Sequence, residues 1–186
     1  MRNSIFLIFS VYLMACNNGP EKLSIDKDFE VTTFENRYQI MIPDYMDATD
    51  ELHEEANLQF MNAYRETYII VIDEDKNEFI NSFKQIESYD TTMSIIDNYA
   101  GVITSSIETS EDLTLGQPKK TSINGMDARL YLMEGNVDGI PEEISYIFAY
   151  IEGKDRIYAI STWTLKDRME KYKNTFFQSI KSLKEL

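Results

Sequence analysis

Apolar positions along this chain follow two rhythms: a period of two, which marks half-buried strands, and a period near 3.6, which marks amphipathic helices. The first rhythm comes early. Phe29-Glu30-Val31-Thr32-Thr33 and Tyr38-Gln39-Ile40-Met41-Ile42 alternate apolar with polar residues, Glu35-Asn36 supplies a turn between them, and Pro43 ends the pair. Residues 44–55 hold six acids and no Lys or Arg, which predicts a solvated loop. Leu58-Gln59-Phe60-Met61 and residues 67–73 follow as strands. The unbroken run Tyr68-Ile69-Ile70-Val71-Ile72 predicts a central strand covered on both faces.

The period then changes. Phe79, Ile80, Phe83 and Ile86 fall at helical spacing behind Asp73-Glu74-Asp75, whose charge suits the positive end of a helix dipole. Met93, Ile96, Ala100, Ile103 and Ile107 repeat the pattern behind Asp90-Thr91-Thr92, which offers capping side chains. Strands return in residues 113–123 and 126–133, joined at Asn124-Gly125, where both positions tolerate positive φ. Residues 144–151 and 156–163 predict another hairpin around Glu152-Gly153-Lys154-Asp155, with residues 135–141 as the long connection before it. Leu165, Met169, Tyr172, Phe176, Ile180 and Leu183 draw a last helical stripe, opened by Thr164 as N-cap with Asp167 at the third helical position. Strands, two helices, antiparallel strands and a final helix predict an α+β domain over residues 29–186, an antiparallel sheet flanked by helices.

This order resembles the PsbP/Mog-like fold, an α/β/α sandwich found in an extrinsic photosystem II protein, a nuclear Ran-binding factor and many small bacterial lipoproteins. Tyr38-Gln39-Ile40-Met41-Ile42-Pro43, residues 68–72 before the helices, and Tyr158-Ala159-Ile160-Ser161-Thr162-Trp163 carry the resemblance. It implies a binding or assembly module rather than an enzyme. With no photosynthetic targeting segment, a photosystem role is not expected.

The N-terminus changes the picture. Arg2 precedes an apolar segment, residues 5–14, interrupted only by Ser10. As a helix rising ~1.5 Å per residue, it would span about half of a ~30 Å hydrocarbon core, which suits a signal segment rather than a membrane span. The run Leu13-Met14-Ala15-Cys16 resembles the lipobox of bacterial lipoproteins. That resemblance implies a signal peptide over residues 1–15, acylation of Cys16 by a diacylglyceryl group and a further palmitate-like chain, and a lipidated tether over residues 16–28. The implied partners are the bilayer, through Cys16, and an unidentified envelope protein. Asn17 stands where some bacteria place an inner-membrane retention aspartate, which favours the outer membrane and leaves the periplasmic or external face open. Cys16 is the single cysteine, so the domain relies on packing without a disulfide.

Without residues 1–15, 171 residues remain, with 17 basic against 32 acidic and a net charge of −15. Such a surface disfavours nucleic acid and is expected to be repelled from anionic headgroups. The last 22 residues, 165–186, run the other way, with six basic and three acidic.

Candidate chemistry is thin. His53 is the only histidine, and in His53-Glu54-Glu55-Ala56-Asn57 the second position of a zinc-protease-like motif is Asn57; a solvated loop histidine is expected. Asp73-Glu74-Asp75-Lys76-Asn77 imitates the start of a calcium loop, with Glu78 at the glycine position and Lys84 at the bidentate glutamate position. None of the seven glycines forms a phosphate-cradling motif. Trp163, Tyr146, Tyr150 and Tyr158 are expected to pack in the core. No catalytic residue, cofactor or metal is expected, and Cys16 is the one site assigned. The readings are an anchored, non-catalytic binding module, an envelope hydrolase with an unconventional base, and a carrier of a small apolar ligand. A shallow apolar patch would favour the first, convergent ionisable groups of shifted pKa the second, and a closed interior would count against the third.

Overall fold

A computed structural model describes residues 19–108 and 112–186; residues 1–15, Cys16 and Asn17 lie outside the described residues. Strands β1 (Phe29–Phe34) and β2 (Tyr38–Pro43) pair as the predicted hairpin, with Glu35 and Asn36 at φ 44° and 55° in a turn that matches strand twist. The larger sheet contains β3 (Asp47–Ala48), β4 (Leu58–Asn62), β5 (Thr67–Asp75), β6 (Leu113–Leu115), β7 (Lys119–Ile123), β8 (Met126–Gly135), β9 (Ile144–Glu152) and β10 (Arg156–Leu165). Its order is β3-β4-β5-β10-β9-β8, and β6 and β7 share the outer edge of β8. All pairings are antiparallel.

Three helices complete the architecture, α1 (Lys76–Gln85), α2 (Ile95–Glu108) and α3 (Met169–Ser182), and a short β11 (Lys184–Glu185) returns to β2. Alternation along each strand sends two sets of side chains to opposite faces of the large sheet. On one face Ile69, Val71, Ile147, Ile151 and Ile160 meet Ile40 and Ile42 of the small sheet and Tyr172, Phe176 and Ile180 of α3. The other face meets α1 and α2 through Tyr131, Tyr150, Ile157 and Ala159 against Phe79, Ile96, Tyr99 and Ala100. The result is the expected α+β sandwich, with two helical layers and the small sheet around one antiparallel sheet.

Several boundaries differ from the sequence reading for local reasons. Asp73 and Glu74 stay in β5, and Asp75 alone caps α1, its carboxylate accepting the Asn77 and Glu78 N–H groups at 2.9 Å. Helix α2 begins at Ile95 rather than behind Asp90-Thr91-Thr92. The Ser94 hydroxyl accepts the Asp97 N–H at 3.1 Å, while Asp90 closes its own turn onto the Thr92 N–H. Thr164 does not cap α3. It remains in β10 opposite Ser145, buried, and a 3-10 turn, Lys166–Arg168, intervenes before the helix. The predicted strand over residues 113–123 breaks at Gly116-Gln117-Pro118 into β6 and β7, and Pro118 has no N–H to give a ladder. Residues 44–55 keep their acids exposed yet contain β3.

Candidate ligand groove

The apolar run of β5 is covered fully on one face and in part on the other, where Ile70 is buried. Ile69 and Val71 are fully buried under α3 and the small sheet, whereas Tyr68 and Ile72 are half-buried, because α1 and α2 cover only part of the opposite face. The uncovered part is an open groove of about 400 Å³. Its floor follows from register. Tyr68 of β5, Trp163 of β10 and Tyr146 of β9 are directly opposed across three strands, and Phe148 and Tyr150 continue along β9 at the same-face spacing of two.

These five side chains form a continuous row of rings. Tyr68 and Trp163 stack at 5.1 Å between centroids, Trp163 and Tyr146 at 5.8 Å, Tyr146 and Phe148 at 5.5 Å, and Phe148 and Tyr150 at 6.3 Å. Tyr150 is buried, while Tyr68, Trp163, Tyr146 and Phe148 are half-buried. Offset rings at this spacing gain from one another and leave their faces available to an occupant. Core packing therefore describes Tyr150 and Tyr158, but not Trp163 and Tyr146.

One wall is the loop between β3 and β4, contributing Leu52, His53 and Glu55. Buried Gln59 holds it down: its carbonyl oxygen accepts the Leu52 and His53 N–H groups at 2.8 and 3.0 Å, and its amide donates to the His53 carbonyl at 2.8 Å. His53 itself is exposed, and its Nδ1 accepts the Glu55 N–H at 3.2 Å. The other wall is Tyr99 and Ile103 of α2. That helix is clasped to β8 by Arg129, which is 3% exposed and holds Asp97 through Nε at 2.6 Å and Nη2 at 3.1 Å, and Asp127 through Nη1 at 2.8 Å. The Arg129 guanidinium holds the Asp97 carboxyl far below the usual carboxylate range.

Glu55 and Glu74 bring negative charge to the groove, and among the described residues no Lys or Arg lines it. Burial raises the Glu74 pKa and the Glu55 charge raises it further, while a hydrogen bond from Tyr99 and the charge of Arg156 oppose the shift. Burial also raises the Tyr99 and Tyr150 phenols, so both stay protonated and neutral. Ser161 is the hydroxyl on the floor, and among the described residues no hydrogen bond joins it to His53, Glu55 or Glu74. An aromatic floor between carboxylates fits a cationic or neutral occupant.

The calcium-like run serves structure instead. Asp73 is buried with Arg37 Nη1 at 2.9 Å and Arg156 Nε at 2.5 Å, tying the β1–β2 hairpin to the large sheet, while Asp75 caps α1. Among the described residues no three His, Cys, Asp or Glu side chains gather for a metal ion, and no helix is long and apolar enough to cross a membrane. No contiguous sequence motif marks the groove. Its signal was present in Tyr146, Phe148 and Tyr150 at strand period, but only strand register brings Tyr68 and Trp163 beside them.

No protein-family profile matches this sequence, and no curated protein resembles it at the sequence level. Solved structures do match its shape. The solution structure of the cyanobacterial PsbP protein CyanoP from Synechocystis superimposes with a TM-score of 0.56 at 12% identity, over 86% of this chain and 93% of that one. The crystal structure of LpqN, involved in cell envelope biogenesis of Mycobacterium tuberculosis, gives a TM-score of 0.51 at 8% identity, over 86% of this chain and 92% of that one. At such identities the likeness concerns architecture alone: the chain has a PsbP-like α+β fold.

Proposed function

We propose that the protein is a lipid-anchored module of the bacterial cell envelope that holds a cationic segment of a partner protein in the aromatic groove, without catalysis. The observation that carries this reading is the row of four half-buried rings bordered by Glu55 and Glu74. Arg or Lys side chains gain from ring faces and from carboxylates together. The anchor reading rests on Leu13-Met14-Ala15-Cys16, with a signal peptide at residues 1–15 and a tether from Cys16 whose free part is shorter than the expected 16–28, because Glu21 is already hydrogen-bonded to Lys171 of α3. The envelope setting is in keeping with the role of LpqN, a structure of similar fold.

A photo-cross-linking residue at Tyr68, compared with one at exposed Val31 on β1, tests the groove in living cells. The reading predicts a reproducible adduct from Tyr68 whose partner peptide contains Lys or Arg, and none from Val31. Equal labelling from both positions, or labelling from Val31 alone, would overturn it.

A second reading is favoured by Glu74 itself. A carboxylate of raised pKa beside a second carboxylate over an aromatic floor is an arrangement that a glycan-cleaving hydrolase could use, with the protonated acid as proton donor. Turnover of a model envelope glycan that disappears in Glu74→Gln would favour this enzyme over the binder. A carrier of a small apolar ligand would instead show saturable binding of an uncharged probe in the same groove.

A further inference from the structure

The opposite face of the protein carries a second groove with the opposite charge. It opens where the predicted long strand breaks at Gly116-Gln117-Pro118, so that β6 and β7 leave a gap beside α3. Leu130, Leu132 and Ile147 of the sheet and Phe177 of α3 give an apolar floor, Leu132 being 44% exposed, and Lys119 and Lys181 stand at the rim of a space of about 460 Å³. Phe177 and Lys181 are shared with a neighbouring depression of about 430 Å³ that adds Lys22, Asn174 and Gln178. The two are therefore one continuous surface along α3.

The lysines of this surface have no carboxylate partner, and Lys181 Nζ lies 5.9 Å from the centroid of the Phe177 ring within the surface itself. Among the described residues Lys22, Lys119 and Lys181 form no ion pair. Among the described residues the one acid lining the surface, Glu21, is already engaged, with Arg65 Nη1 at 2.5 Å and the Thr175 hydroxyl at 2.7 Å. In a chain of net charge −14, an apolar floor edged by three lysines without an ion-pair partner goes against the overall trend. Such a surface complements an anionic amphiphile.

Chain connectivity says where that surface points. The Glu21 N–H donates to the Lys171 carbonyl at 2.8 Å, which pins the start of the domain onto α3. Cys16 precedes Glu21 by five residues, a span of at most ~18 Å even when fully extended. An acyl anchor at Cys16 would therefore keep the α3 face within that reach of the headgroups. A longer tether, or one attached at another face, would impose no such orientation.

We infer that the α3 face, with Lys22, Lys119, Lys181 and Phe177, docks on the anionic phospholipid of the membrane that holds the anchor, leaving the aromatic groove facing away from the bilayer. This inference rests on the lipoprotein reading for its geometry. It revises the expectation that net charge repels the domain from the membrane, because net charge averages over two faces of opposite character. Each lysine near an anionic surface strengthens association about fivefold, so the three together contribute roughly 100-fold at low salt. The contribution fades at about 1 M salt, where the Debye length is ~3 Å.

The test uses the lipidated protein in vesicles of phosphatidylcholine with or without phosphatidylglycerol, the lipids bearing a headgroup-depth quencher. A fluorophore is placed through Asn174→Cys on the α3 face or Ile86→Cys at the exposed end of α1. The expected result is quenching of the Asn174 label only, dependent on phosphatidylglycerol and lost at high salt or in a K22Q/K119Q/K181Q variant. Protein that floats with vesicles but shows equal quenching at both positions, or quenching indifferent to the lysines, would overturn docking while sparing the anchor. Protein that fails to float at all would overturn both.

Discussion

Replacing Arg129 with Met breaks the clasp that holds α2, and with it one wall of the aromatic groove, against β8. Arg129 is nearly fully buried, and losing one partner of a buried ion pair costs about 3–5 kcal/mol. The stranded Asp97 is one-fifth exposed and keeps Lys120 at 3.1 Å and Ser94 at 2.8 Å, so the lower end applies, about 3 kcal/mol. For a domain of this size that is a fall in Tm of roughly 6–12 °C. Asp97→Asn should cost about 2 kcal/mol, since the guanidinium retains Asp127 and the Ala128 carbonyl. The double variant Asp97→Asn/Arg129→Met should be less destabilised than the sum of the singles by at least ~1 kcal/mol, the signature of a direct coupling. Protonation gives an independent check. The folded Asp97 pKa lies below its unfolded value of ~3.9, so the clasp's contribution is complete above that pH and is lost progressively as pH falls from about 4 towards the folded pKa. Urea unfolding of wild type and Asp97→Asn should therefore differ constantly between about pH 5 and 8 and converge below about pH 4. An Arg129→Met cost under ~1 kcal/mol, additive singles, or a difference that persists unchanged into acid would refute the reasoning.

Other consequences follow from the same contacts. Because folding raises the Glu74 pKa, ionising it costs stability above its ordinary value of ~4.3; Glu74→Gln should raise the urea midpoint near neutral pH and leave it unchanged near pH 4. Phe176 of α3 is fully buried against the sheet, and Phe176→Ala should lose about 3–5 kcal/mol in denaturant unfolding. A Cβ on Gly153 would stand 2.5 Å from Glu185 Oε1 and 2.8 Å from the Tyr158 ring, and the Lys154 N–H and Tyr158 hydroxyl hold that carboxylate; Gly153→Ala should cost about 1–3 kcal/mol and release β11, seen as faster amide exchange at Leu186, whose N–H donates to the Arg37 carbonyl. Cys16→Ala should abolish labelling by a fatty-acid probe and release the protein from membranes, whereas retained label would remove the anchor from the account.

Much of the fold was legible because the periods of two and 3.6 are strong over residues 29–43, 67–86 and 144–183, and because Asn124-Gly125 marks its hairpin, with φ 49° and 86°. Boundaries were misplaced where a local signal had two uses. Thr164 looks like a cap but fills a buried strand position, and Asp73 looks like a helix start but neutralises Arg37 and Arg156. The two-residue β3 and β11 carry no period at all. Neither groove was legible, since each depends on what fails to cover the sheet: short α1 and α2 on one face, and the Gly116-Gln117-Pro118 break on the other. Lys22, Lys119 and Lys181 are distant in sequence, and only folding gathers them against an acidic background.

The central claim is that the ring row is the docking site, and removing rings tests it most directly. Trp163→Ala and Tyr146→Ala each delete a centrally placed aromatic, and truncating such a residue at an interface hot spot costs about 2 kcal/mol or more, about 30-fold in affinity. With a photo-cross-linker at Ile103, across the groove on α2, the yield of the partner adduct should fall at least ~30-fold in either variant while circular dichroism stays native. An undiminished adduct in correctly folded Trp163→Ala and Tyr146→Ala proteins would contradict the account.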